Sequence, residues 1–117
     1  MQKEKSSYAF LLTLPDPVLQ PERVLWLHVI AQAVIDAASK RREIKKEIRD
    51  WVDTEDFEYV CGAAGVDDFS VSALIHKLLR DRNRKRAFHH AMKFRFSVRS
   101  FIELNTGDID KDRAIDK

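Results

Sequence analysis

The chain has few residues that break helices or cross-link a fold. Among its 117 residues are one cysteine, three glycines and three prolines, and the prolines all fall between positions 15 and 21. One cysteine cannot form an internal disulfide, and its place within an apolar pattern fits a reducing, cytoplasmic interior. The scarcity of breakers after Pro21 predicts a mainly helical fold.

Long apolar runs are also missing. No stretch approaches the roughly 18 apolar residues that cross a bilayer, so the sequence predicts no membrane span. The first 15 residues include an acid and lack a small-residue cleavage site, which makes them a poor match to a signal peptide. A hydrophobic content of 44% and a charged content of 34% describe a soluble globular chain of one domain.

Motifs that carry catalytic or cofactor chemistry are missing as well. The three glycines match no phosphate-binding loop, and we find no catalytic constellation and no complete metal-binding motif. Cys61 lies within an apolar pattern, whereas reactive thiols need an exposed, electropositive setting. We therefore expect a protein that is not an enzyme and that needs no cofactor or metal.

The spacing of apolar residues predicts four helices, near residues 21–39, 41–53, 55–64 and 68–82. Pro21 suits the first turn of the first helix. The wide apolar face of that helix, which includes Leu25 and His28, makes it the central element of the core. The expected core residues are Leu27, Ile30, Val34, Ile48, Trp51, Val60, Val71 and Leu74.

A fifth segment, residues 86–104, fits two kinds of secondary structure. Its helical stripe comprises Phe88, Ala91, Met92, Arg95, Val98, Phe101 and Ile102. Phe94 and Phe96 instead alternate with polar residues, as in a strand. We favour the helix, and a strand would pair with residues 7–14 in a small ribbon.

The fold class is therefore a mainly α, compact bundle of four to five helices, with a two-stranded ribbon as the alternative. The predicted organisation has three parts. Residues 1–20 form an N-terminal arm, 21–104 the helical domain with its basic extension, and 105–117 a flexible acidic tail without core residues.

Residues 57–76, FEYVCGAAGVDDFSVSALIH, have the pattern of a helix-turn-helix. In this motif two helices meet at a sharp angle across a short turn that often contains glycine. Gly65 lies at the turn, where the lack of a Cβ permits a left-handed backbone. Asp67 can cap the second helix by accepting a backbone N–H. The buried stripe of that helix would be Val71, Leu74 and Ile75.

The spacing from Cys61 to Gly65, Val71 and Leu74 resembles that of helix-turn-helix DNA-binding proteins, especially small phage and bacterial regulators. The resemblance implies that the second helix presents its outward residues to the DNA major groove. Asp67 and Asp68, at the start of that helix, oppose this function because carboxylates repel phosphates. The base-contacting candidates are Phe69, Ser70, Ser72, Ala73 and His76.

Positive charge is concentrated directly after the motif. Residues 76–99 contain nine Lys and Arg and one acid, whereas residues 1–75 contain nine and thirteen. A basic segment between acidic ones is the asymmetry expected of a nucleic-acid contact, and arginine suits bidentate phosphate contacts. The phosphate-contacting candidates in the basic flank, 77–99, are Lys77, Arg80, Arg82, Arg84, Lys85 and Arg86.

Three functions remain open at this stage. The first is a small DNA-binding transcription regulator, acting on double-stranded DNA and possible as a homodimer because regulators usually bind two half-sites. The second is a protein-interaction adaptor or anti-repressor, in which the motif serves only packing. The third is a phage DNA-packaging or RNA-binding component. The acidic pair favours the second function, and the basic flank favours the other two.

Overall fold

The computed structural model describes residues 20–106 and contains five helices in that range. The predicted N-terminal arm and most of the predicted acidic tail lie outside the described residues. The helices are α1 (Pro21–Ala37), α2 (Arg42–Trp51), α3 (Glu55–Ala64), α4 (Asp68–Arg80) and α5 (Arg84–Thr106). The mainly α bundle is therefore confirmed, and no β-strand is present in residues 20–106.

Helix α1 is the centre of the bundle and packs against each of the other four helices. Its buried apolar residues follow the helical repeat along one wide face. They are Leu27, Ile30, Ala31, Ala33, Val34 and Ala37. Leu25 and His28 were expected on this face, but both are exposed because they lie outside the buried side of the helix.

Local signals end and begin the helices much as the sequence predicts. Pro21 occupies the first turn of α1. The Thr54 hydroxyl accepts a hydrogen bond from the backbone N–H of Phe57 at 3.2 Å, which caps α3. Asn83 does the same for α5, since its side-chain oxygen accepts from the N–H of Arg86 at 3.1 Å.

Two of the expected core residues are only partly buried. Trp51 lies at the rim, where its indole N–H donates to Asp56 at 2.8 Å while its ring packs edge-on against Phe57. Leu74 packs beside the core, and the fully buried side chains of α4 are Val71, Ile75 and Leu78. The other six expected core residues are buried: Leu27, Ile30, Val34, Ile48, Val60 and Val71.

Helix α5 resolves the ambiguity of residues 86–104 in favour of a helix. Its buried stripe is Ala87, Ala91, Phe94 and Val98, and this spacing lies on one helical face. Phe88 and Arg95, assigned to that stripe from the sequence, are exposed instead. The two alanines allow a close approach to α1. The apparent strand alternation fails at Phe96, whose side chain is 70% exposed.

Candidate nucleic-acid interface

The turn between α3 and α4 ends the first helix of the motif with a left-handed glycine. Gly65 has a φ of 73°. Its backbone N–H donates to the carbonyl of Gly62 at 3.1 Å, and the N–H of Val66 donates to that of Cys61 at 3.0 Å. This pair of bonds satisfies two of the last four carbonyls of α3, and the turn predicted at Gly65 is confirmed in its geometry.

A buried arginine from α1 holds the same turn from outside the motif. The Arg23 Nε donates to the carbonyl oxygen of Ala64 at 2.7 Å, and its Nη2 donates to that of Gly65 at 3.1 Å. Its guanidinium carbon also lies 5.2 Å from the centre of the Phe101 ring in α5. Arg23 therefore joins α1, α5 and the end of α3, where a cation favourably meets the negative end of the helix dipole.

Sequence reasoning missed Arg23. The only local signal was its place in the first turn of a helix, where the macrodipole favours acids rather than bases. That mismatch indicates that Arg23 is stabilised by an interaction outside its own helix. Its partners are 41 and 42 residues away along the chain, so no local pattern could name them.

Helix α4 begins at an aspartate cap that also involves one of the predicted base contacts. The Asp67 carboxylate accepts from the backbone N–H of Ser70 at 3.3 Å and from its hydroxyl at 2.6 Å. The cap predicted at Asp67 is confirmed. Ser70 is therefore held against the start of its own helix, half-buried, and does not point outward as the sequence suggested.

Two further base-contact candidates are bound to a residue at the corner between α2 and α3. The Ser72 hydroxyl donates to one carboxylate oxygen of Asp53 at 2.6 Å, and His76 Nε2 lies 2.8 Å from the other. Asp53 itself has a φ of 72°, a left-handed conformation that aspartate tolerates better than most residues. The hydrogen bond from Ser72, and next the one from His76, lower the pKa of Asp53.

The outer side of α4 is left open. Phe69 is 84% exposed, and Ala73, one turn further along, is exposed too. Lys77 and Arg80 continue this exposed side to the end of the helix. Of the five base-contact candidates, Phe69 and Ala73 are therefore fully accessible, and the other three are hydrogen-bonded within the protein.

The predicted phosphate contacts gather around the connection between α4 and α5. We call this cluster the basic corner: Lys77, Arg80, Arg82, Arg84, Lys85 and Arg86. All six side chains are exposed. Together with Asp81 and His90, four of them line a cleft of about 570 Å³.

Only one cation of the basic corner has an acidic partner among residues 20–106. Arg86 donates through Nη2 to Asp81 at 2.9 Å and through Nε at 3.1 Å. The hydrogen bonds from Arg86, and next that from the backbone N–H of Asn83, lower the pKa of Asp81 to about 2. The Asp81 side chain is 6% exposed, whereas that of Arg86 is 62% exposed. The corner therefore keeps a positive excess.

Other chemistry is limited in the described part of the chain. Cys61, in α3, is fully buried, and burial raises the pKa of its thiol to about 12. Across residues 20–106, no three histidine, cysteine or carboxylate side chains are grouped to hold a metal ion. No helix in this range is long and apolar enough to cross a membrane.

No family model matches the chain, and neither the curated proteins nor the solved structures include a significant match. The residues and their geometry therefore carry the evidence on function.

Proposed function

We propose that the protein binds double-stranded DNA as a small helix-turn-helix regulator. The outer side of α4 would enter the major groove, which is wide enough for an α-helix. The observation that carries the proposal is one continuous exposed surface. It runs from Phe69 and Ala73 through Lys77 and Arg80 into the basic corner.

The hydrogen bonds of α4 define what its polar residues can recognise. The Ser72 hydroxyl donates its proton to Asp53, so it can act toward a base only as an acceptor. An acceptor suits the amino groups of adenine and cytosine in the major groove. Phe69 is placed for apolar contact with a thymine methyl. His76 contacts DNA only through the ring atoms that Asp53 leaves free.

The basic corner supplies the sequence-independent part of the proposed binding. Its arginines and lysines lie at the carboxyl end of α4 and the first turn of α5, so they contact phosphates beside the groove that α4 enters. One helix of 13 residues makes few base contacts. We therefore expect two copies to bind half-sites about one helical turn of DNA apart.

A salt titration with matched variants tests this proposal. Arg82, Arg84 and Lys85 are changed together to alanine. The control changes Arg42, Lys46 and Arg49, three exposed cations of α2, and removes the same net charge. Each lost phosphate contact lowers the slope of log K against log salt by about one unit. We expect the slope to fall by two to three units for the corner variant only, and equal slopes would contradict the assignment.

Base recognition has its own test, measured by binding to a panel of duplexes that differ at single positions. Ser72→Ala should change the preference at one base position by about 1–3 kcal/mol and leave non-specific binding unchanged. Ala73→Ser, a small change on the exposed side, should alter preference at a neighbouring position. If both variants have the same base preferences as the wild type, the proposal that α4 enters the major groove is wrong.

One observation favours a second function, a protein-interaction adaptor. Phe69 projects next to Asp67 and Asp68, and this acidic, apolar end of α4 repels phosphates but suits a basic, apolar protein surface. An Asp68→Lys substitution separates the two functions. It should strengthen DNA binding if α4 enters the groove. If the protein is an adaptor, it should leave DNA binding unchanged and weaken the complex with the protein partner.

A further inference from the structure

A second depression lies on the other side of the basic corner, between the carboxyl end of α1 and the start of α5. Its volume is about 800 Å³, within the range of roughly 300–1,000 Å³ for pockets that accept small ligands. We call it the α1–α5 groove. Its apolar lining consists of Ile35, Ala38 and Phe88.

Four cations surround this lining. They are Lys40, Arg82, Arg84 and Lys85. None of them forms an ion pair with a carboxylate of residues 20–106. The one acid of the groove, Asp36, accepts a hydrogen bond from Gln32 at 3.0 Å. The groove therefore selects for a ligand that carries negative charge beside an apolar group.

Phe88 gives the apolar part of the groove a flat surface. Its side chain is 52% exposed, although it lies next to the half-buried Ile35 and the buried Ala38. An aromatic ring beside arginine and lysine side chains is the combination that binds single-stranded nucleic acid, because bases stack on the ring and cations follow the backbone. A duplex cannot use such a ring, since its base faces are stacked on one another.

An acidic helix fits the groove less well. Helical peptides dock through apolar anchors at positions i, i+3 or i+4, and i+7, which need a long apolar trough. Here the apolar lining is limited to three side chains enclosed by cations. A single unstacked base with its neighbouring phosphates matches that extent.

We propose that the α1–α5 groove binds single-stranded nucleic acid, with one base stacked on Phe88 and the flanking phosphates on Lys40, Arg84 and Lys85. Arg82 lines both this groove and the cleft on the α4 side, so a strand leaving the groove meets the rest of the basic corner. The protein then contacts duplex DNA through α4 and an unpaired strand through α5. This second activity does not require the first.

The test is the binding of a labelled 12-nucleotide oligo-dT, followed by fluorescence anisotropy. Phe88→Leu keeps an apolar side chain but removes the ring, so we expect affinity to fall about five- to 150-fold. Phe88→Tyr keeps the ring and should bind like the wild type. The control is Phe96→Leu, on the same helix, 70% exposed and outside the groove lining, which should have no effect. Circular dichroism checks that each variant is folded.

Further ligands distinguish binding of the base from binding of the phosphates alone. An abasic 12-mer with the same phosphates should bind more weakly than oligo-dT, and only oligo-dT should be sensitive to Phe88→Leu. The proposal is wrong if Phe88→Leu and Phe96→Leu bind alike, or if the abasic strand binds equally well. It is also wrong if dTMP alone binds as tightly as the strand, or if polyglutamate binds in a Phe88-dependent way.

Duplex binding is measured in parallel on the same variants. Phe88→Leu should leave duplex affinity unchanged, because the outer side of α4 remains intact. If the protein does not bind duplex DNA but binds oligo-dT in a Phe88-dependent way, the groove assignment still holds. If it binds duplex DNA but its binding of oligo-dT does not depend on Phe88, only the groove assignment is wrong.

Discussion

Helix α4 is flanked by two different connections. We call the turn before it the amino corner and the connection to α5, which carries the basic corner, the carboxyl corner. At its amino end the turn is buried, and the Arg23 side chain of α1 donates hydrogen bonds to two of its carbonyls. At its carboxyl end the connection is exposed and basic, with one internal ion pair between Arg86 and Asp81. The first corner fixes shape, and the second presents charge.

This contrast predicts where substitutions will act. Changes at the amino corner should alter the free energy of unfolding, because they remove buried hydrogen bonds or force an unfavourable backbone. Changes to the exposed cations of the carboxyl corner should have small effects on unfolding, because exposed charges contribute little. Any large stability effect in the basic corner would break the comparison.

The largest effect is expected for Gly65→Ala. An alanine at a φ of 73° is strained, and its Cβ would lie 2.4 Å from the Arg23 Nε, so the guanidinium must move from its two carbonyls. We expect a loss of about 2–4 kcal/mol in the free energy of unfolding, measured by urea denaturation. Gly62→Ala is the matched control. Gly62 is inside α3 and has open space around it, so alanine should stabilise by about 0.5–1 kcal/mol. A loss of similar size at both glycines would contradict the role given to Gly65.

Arg23→Met should have the next largest effect. It retains much of the apolar packing of the side chain but leaves the Ala64 and Gly65 carbonyls without their donor. We expect a loss of about 1.5–3 kcal/mol by urea denaturation. Arg23→Lys should lose less, because a single ammonium can still donate to one carbonyl. Equal losses in the two variants would indicate that the hydrogen bonds contribute nothing.

Asp53→Asn should have a smaller effect. Asparagine tolerates the left-handed backbone and keeps one acceptor, so the change mainly weakens the bonds to Ser72 and His76. We expect a loss of up to about 1 kcal/mol in a thermal or urea unfolding experiment. Asp50→Asn on α2 is the control, since it removes an exposed pair with Lys46 and should be near neutral. A neutral Asp53→Asn would show that α4 needs no support from the α2–α3 corner.

The smallest effect should come from Asp81→Asn, and it should depend on pH. The folded pKa of Asp81, about 2, is below its ordinary value of 3.8. A lowered pKa contributes stability that is present above about pH 4 and is lost as pH falls toward 2. The stability difference between wild type and variant should therefore shrink between pH 5 and pH 2. Urea unfolding at those two values measures it, and a difference that grows on acidification would contradict the ion pair.

The amino corner also separates what the sequence could predict from what it could not. Gly65 and Asp67 act on backbone groups within a few residues, so their roles follow from local patterns and were predicted correctly. Arg23 and Asp53 act on partners 19 or more residues away, and those partners are set by packing. The same limit explains why Ser72 and His76 were predicted to be free for DNA. The helical repeat places them outward, but both are hydrogen-bonded to Asp53.

The helix faces were predicted with uneven success for a related reason. Fully buried residues such as Leu27, Ile30 and Val71 lie at the centre of their stripes, where any packing arrangement buries them. His28 and Phe88 lie beyond the edges, where the position of a neighbouring helix decides exposure. Apolar periodicity alone could not distinguish the two edges of a wide face.

Cys61 gives the amino corner a built-in reporter. It is the only cysteine of the chain, it is fully buried in α3, and burial raises the pKa of its thiol to about 12. Alkylating reagents react with the thiolate, so labelling in native buffer requires the core around Cys61 to open first. The labelling rate therefore measures the free energy of that local opening without an introduced probe. A ligand that clamps α3 against α4 would slow the reaction, and one that binds at the carboxyl corner alone would not.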